Sequence, residues 1–200
     1  MTVVDGVQWL EKENQFDCGY WVVFARGLDP AELVRRLAPV IPLDEPVTRY
    51  EVDTVEPGDG GVVVRAGSSA GWAYGVVEGG PVGRASEATV GALSAGTTAV
   101  ELWRTVNYGI HFAFAEDGRV VCEFEPGWEH HRSGTDPDRL LPALRHAGLV
   151  LPDGTTPFEH GIDVDDPMLL ALALAESEFG LDLPRQAVLD GGLTAGVLVG

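Results

Sequence analysis

An α+β fold, with a largely antiparallel sheet of about five to six strands and helices packed on it, is what this 200-residue sequence predicts. Three observations carry the expectation. Runs of β-branched and aromatic residues are separated by short turns, which favours antiparallel neighbours. The dipeptide Asp-Pro occurs at three places where a helical pattern begins. The resulting order, β-α-β-β-α-β-β-β-α-α, does not alternate strand and helix as a doubly wound fold does.

Around Trp9 and Leu10 the pattern allows one or two helical turns, and CGYWVVFAR then reads as the first strand. GLDPAELVRRLA carries the best-marked helix: Asp29 at the N-cap, Pro30 at the first helical position, Glu32 at the capping-box position, and Leu28 with Leu33 as a hydrophobic staple. APVIPLDEPVTRYEVDTVEPGDG, with four prolines and six acids against one arginine, reads as a surface connection with one short strand around Tyr50. GVVVRAG and GWAYGVVEG form a hairpin around Ser68 to Ala70, and SEATVGALSAG a weaker helix ended by Gly96. TTAVELWR, YGIHFAFA and GRVVCEF follow as a three-strand meander. Asp136-Pro137 and Asp166-Pro167 mark helices over 137–147 and 167–180. Residues 1–185 read as one domain, and 186–200 as an apolar tail that is either docked or mobile.

HFAFAEDGRVVCEFE gathers a histidine, a cysteine and three glutamates in fifteen positions, so its register decides whether it is a reactive site. A bare two-residue Asp117-Gly118 turn pairs Phe112 with Glu123 and mixes apolar and charged side chains. A three-residue loop, Glu116-Asp117-Gly118, pairs Ala115 with Arg119 and sets Ile110, Phe112 and Phe114 opposite Phe124, Cys122 and Val120. That register sends Cys122 to the core, opposes His111 to Glu123 on the other face, and removes a Cys/His nucleophile pair. His111 and Glu123, with Glu101 on the adjoining strand, are either an acid/base pair in a groove or a solvent-facing ion pair.

EPGWEHHRSGTDPDRL places Trp128, Glu129, His130, His131 and Arg132 on one loop, the first place to look for ligand or partner contacts. Adjacent histidines on an extended chain point to opposite faces, so His130 and His131 are not expected to chelate together. GIDVDDP lacks the glycine and glutamate of a calcium loop, and the glycine-rich EGGPVGRASE lacks the lysine of a phosphate loop. HExxH is absent. No catalytic residue, metal or cofactor is expected.

A net charge of −18 disfavours nucleic acid and anionic lipid, and no run is long and apolar enough to span a membrane. Cys18 and Cys122, far apart and outside any CxxC pair, read as buried thiols of a cytoplasmic protein, with a disulfide between them the alternative. WVVFARGLDPAELVRRL, GWAYGVVE, FAFAEDGRVVCEFEP, PDRLLPALRHAGL and ALALAESEFGL, in this order, resemble a family of uncharacterised, mostly actinobacterial cytosolic proteins grouped as a domain of unknown function. The resemblance implies no reaction, cofactor or partner.

Two functions remain open. The first is a non-catalytic interaction protein, such as a regulator, adaptor or immunity-type protein, whose acid-rich segments 44–59 and 153–182 meet a basic protein. The second is a small-molecule binder or unfamiliar enzyme using Trp72, Tyr74, Trp103 and Trp128 around a groove near His111 and Glu123.

Overall fold

A computed structural model describes residues 5–13, 15–37, 39–55, 61–78, 87–107, 109–162 and 166–199. The glycine-rich connector after Glu78 and the middle of GIDVDDP lie outside the described residues. The elements run α1 (Trp9–Lys12), β1 (Gly19–Arg26), α2 (Pro30–Arg36), β2 (Val40–Pro42), β3 (Val62–Ser69), β4 (Trp72–Glu78), α3 (Glu87–Leu93), β5 (Thr98–Thr105), β6 (Ile110–Glu116), β7 (Arg119–Phe124), α4 (Leu141–His146), α5 (Pro167–Phe179), α6 (Arg185–Asp190) and β8 (Thr194–Leu198). Among the described residues, 3-10 turns are added at Arg49–Thr54, Glu129–His131 and Pro157–His160. The fold is α+β as expected, on an eight-stranded antiparallel sheet in the order β2-β8-β3-β4-β1-β5-β6-β7.

Both faces of this sheet are covered, so strand residues of either parity are apolar. On one face Val22, Phe24, Trp72, Tyr74, Leu102, Phe112, Phe114 and Phe124 join side chains of α4, α5 and α6 in the larger core. On the other, Val23, Ala25, Ala73, Ala99, Ala113 and Ala115 meet Leu33 and Val34 of α2, Leu37 at its C-cap, and Val90 and Leu93 of α3. The alanines let these two short helices sit close to the sheet. No helix among the described residues is long and apolar enough to cross a membrane.

Local chemistry explains where expectation and structure part. Asp29 caps α2, accepting from the Glu32 N–H at 2.7 Å, but the Glu32 carboxylate turns to Arg36 at 2.7 Å instead of closing a capping box. The strand expected around Tyr50 is a 3-10 turn, because Thr48 and Glu51 form a capping box of their own; the short strand is Val40–Pro42. The tail supplies β8, seated between β2 and β3, and these two strands raise the count from six to eight. The helix expected from 137 begins only at Leu141. Residues 133–136 are held along the outer edge of β7, with Thr135 N–H on the Val120 carbonyl at 3.0 Å and Asp136 N–H on the Val121 carbonyl at 2.9 Å, so Asp136-Pro137 opens a turn rather than a helix.

The hairpin register is corrected as well. Asp117 and Gly118, at φ of 48° and 81°, form the two-residue turn, and Glu116 pairs with Arg119. A bulge at Val121 then shifts the ladder, so Phe114 faces Cys122, Ala113 faces Glu123 and Phe112 faces Phe124. The bulge removes the mixing of faces that a bare two-residue turn would produce. Cys122 is buried in the larger core, as expected, whereas Cys18, expected buried, is exposed; Val120 goes to the opposite face and Val121 takes its place.

Gly134 closes this arrangement. At its φ of +122° a Cβ would overlap the Val121 carbonyl oxygen. G134A is expected to cost at least about 2 kcal/mol of stability in urea unfolding, with T135A, which removes only a side chain near the same edge, costing less.

Candidate functional site

The residues singled out around the hairpin do meet on one sheet face. Pairing of β1, β5, β6 and β7 produces a row Val23, Glu101, Ala113, Glu123 and beside it a row Trp21, Trp103, His111. With the register moved by the bulge, His111 lies diagonal to Glu123, not opposite it, and Nε2 to Oε2 is 3.9 Å, beyond hydrogen-bond range. The imidazole instead stacks on Trp103, with centroids 5.2 Å apart and planes at 20°. Burial holds His111 below its ordinary pKa, against the pull of the Glu123 charge.

Glu101 is the unusual member. Its side chain faces the smaller core, the residue is 1% exposed, and the Trp21 indole N–H donates to it at 2.6 Å. Burial pushes its carboxyl up to about 8, the Trp21 hydrogen bond opposes the rise and Glu123 adds to it. At neutral pH the face therefore carries a neutral acid and an uncharged imidazole beside Glu123. That set suits proton transfer in type, yet Glu101 has almost no surface on which a substrate could meet it. Trp103 Nε1 is buried here with no acceptor.

The second group lies on the 3-10 turn Glu129–His131. Trp128 stands 50% exposed at its start and stacks on His131 at 6.2 Å and 22°. Because the backbone is turned and not extended, His130 and His131 come side by side, ring centroids 4.0 Å apart, contrary to the expectation of opposite faces. Among the described residues no group of three or more histidine, cysteine or acidic side chains could hold a metal ion. Arg132 is engaged by Asp138, Nε to Oδ1 at 2.9 Å, and donates to the Glu129 carbonyl at 3.1 Å. Glu129 is fully buried. The turn leans on a neighbour, Pro157–His160: the Phe158 ring lies over Gly127, and Glu159 Oε2 is 3.3 Å from His130 Nδ1 without hydrogen-bond geometry.

Trp72 and Tyr74 do not join either group. They point to the opposite sheet face, buried, with Trp72 edge-on to Phe179 at 6.5 Å. Sequence reasoning missed Trp21, and also a cleft of about 220 Å³ between α1 and the ends of β1 and β5, lined by Glu11, Asp17, Tyr20 and Arg104 over Leu10 and Phe16. There Tyr20 donates to Glu11 at 2.7 Å, and Arg104 joins Glu11 and Asp166. These charged groups satisfy one another. The period-2 pattern of β1 separates Tyr20 from Trp21, but no local signal pairs β1 with β5, so neither cluster was visible in advance.

The chain belongs to a family of unknown function, DUF6461, matched over residues 1–198. No curated protein matches it, and no solved structure does.

The buried acid makes stability depend on pH in a defined sense. An unfolded Glu101 ionises near 4.5 and the folded one near 8, so the fold loses stability as pH rises through this window and no more above it. E101Q keeps an acceptor for Trp21 and carries no charge. Relative to the wild type it is expected to gain on the order of 3 kcal/mol between pH 5 and 8 in urea unfolding; a constant difference across that range would show that Glu101 is ionised in the fold.

Proposed function

We propose that this protein is a non-catalytic interaction protein of the cytoplasm, regulator or adaptor in kind, that meets a basic partner through the Trp128 turn. The observation that carries the reading is a half-exposed tryptophan held in place by stacking on His131, with two further exposed apolar side chains on the adjoining segment, Phe158 at 41% and Ile162 at 47%. Tryptophan is the residue most often found at the energetic centre of protein interfaces, and an ordered ring loses little entropy on contact. The net charge of −18 sets the sign of the partner and speeds its approach at low salt. Two free cysteines are in keeping with a reducing compartment, and an actinobacterial source with the single lysine among thirteen basic residues. Burial raises the Cys122 thiol to about 11, which suits a core residue and not a nucleophile.

A second reading, a small-molecule site on the His111 face, rests on the unpaired indole N–H of Trp103 beside Glu101. A ligand acceptor would complete that group, but Glu101 itself is closed to solvent.

Affinity capture from native cytosol at two salt concentrations, wild type beside W128A, separates them. One stoichiometric partner, lost at the higher salt and lost with W128A, is the expected result. A chain that recovers no partner, or whose partner ignores W128A, contradicts the reading; stabilisation of the wild type but not W103F by a small molecule would favour the second.

A further inference from the structure

Three buried side-chain polar atoms among the described residues lack a hydrogen-bond partner: Trp103 Nε1, Glu129 Oε2 and His130 Nδ1. Two of them belong to consecutive residues of the turn that presents Trp128. Glu129 is 0% exposed; its Oε1 accepts the Gly127 N–H at 2.7 Å, and its Oε2 faces no donor. A carboxylate so placed would hold charge away from bulk solvent with no cation paired to it, whereas the neutral acid would hold none.

The charged neighbours are committed elsewhere. Within the turn, Arg132 holds Asp138 and the Glu129 carbonyl, His130 lies against Glu159, and His131 stacks on Trp128. The facing 3-10 turn contributes Glu159 and His160, the latter bound to Thr155 at 2.8 Å. The start of α5 contributes Pro167, over Gly127, and Asp166, which caps its own helix and holds Arg104. From the β7 side, Glu125 accepts the Trp128 N–H on its carbonyl at 2.8 Å.

We propose that Glu129 is a proton-sensitive latch: as a neutral acid it keeps the turn closed with Trp128 displayed, and on losing its proton it lets the turn open and withdraws that surface from the partner. The inference rests on the turn being the contact surface. Burial supports it by lifting the Glu129 carboxyl to about 7, against the Gly127 hydrogen bond. An opened turn returns the group to its ordinary value of 4.5, so opening releases a proton between these two values. The opening equilibrium then rises by up to about tenfold per pH unit in that window and levels off above it.

Amide hydrogen exchange of residues 125–133 in the full chain, corrected for intrinsic rates, reads this directly without a partner. In the wild type, protection of Gly127, Trp128 and His131 is expected to fall by about tenfold per unit from pH 5 to 7 and to stay level above pH 7. E129Q is expected to match the wild type at pH 5 and to show no slope, while E101Q keeps the wild-type slope. A flat wild-type profile, an E129Q profile with the wild-type slope, loss of protection in E129Q at every pH, or a slope abolished by E101Q would each overturn the latch. A flat profile with W128A still losing its partner fails the latch alone; the expected profile with a partner indifferent to W128A fails the interaction reading alone.

Discussion

Strand β1 is paired with β4 on one edge and β5 on the other and is buried on both faces along Gly19–Ala25, so a polar side chain on its neighbours must be satisfied inside the protein or carried to the strand ends. The β1–β5 pairing is therefore the contact on which the remaining arrangement depends. It draws Trp21 to Glu101 on one face and Tyr20 to Glu11 and Arg104 on the other. Gly19 makes the approach possible: at its φ of +89° a Cβ would overlap the Arg104 carbonyl oxygen. The polar clusters on the two faces thus gather at the same end of the sheet.

Elsewhere the same constraint is met by pairing buried charge. Arg65, 1% exposed on β3, donates to the Val188 carbonyl at 2.9 Å and to Glu78 at 2.8 Å, and Glu78 is shared with Arg49 at 2.7 Å. Every charge in that chain has a partner. Glu101 and Glu129 have no cation, and burial raises both; they differ in that Glu101 receives an indole N–H within a sheet, whereas Glu129 has one oxygen bare in a short turn. A sheet residue can open only with much of the fold, while a turn of three residues can open by itself.

Local chemistry in the sequence was legible where it acts over a few residues. The Asp-Pro starts of α2 and α5 lie where their side chains require, whereas Asp117-Gly118, expected inside a three-residue loop, forms a two-residue turn. The bulge at Val121 was not legible, because it is stabilised by residues 133–136 on the next segment rather than by the hairpin itself. β8 and its neighbour β2 were hidden for a similar reason: β8 pairs with residues more than a hundred positions away. At the candidate sites, the facing of Cys122 followed from pattern, as did the loop that carries Trp128, but the burial of Glu101 and Glu129 did not. Nothing about an isolated glutamate announces what will be packed over it.

What distinguishes Trp128 from the molecule's other tryptophans is that its ring is ordered yet half outside. The most direct measurement is hydroxyl-radical footprinting of the intact protein in buffer and in native low-salt cytosol. Protection of Trp128 and Phe158 in cytosol, with Tyr50, 76% exposed in the Arg49–Thr54 turn, labelled equally in both, is the result predicted. Equal labelling of Trp128 in both, or protection confined to Tyr50, would contradict the assignment of the Trp128 turn as the contact surface.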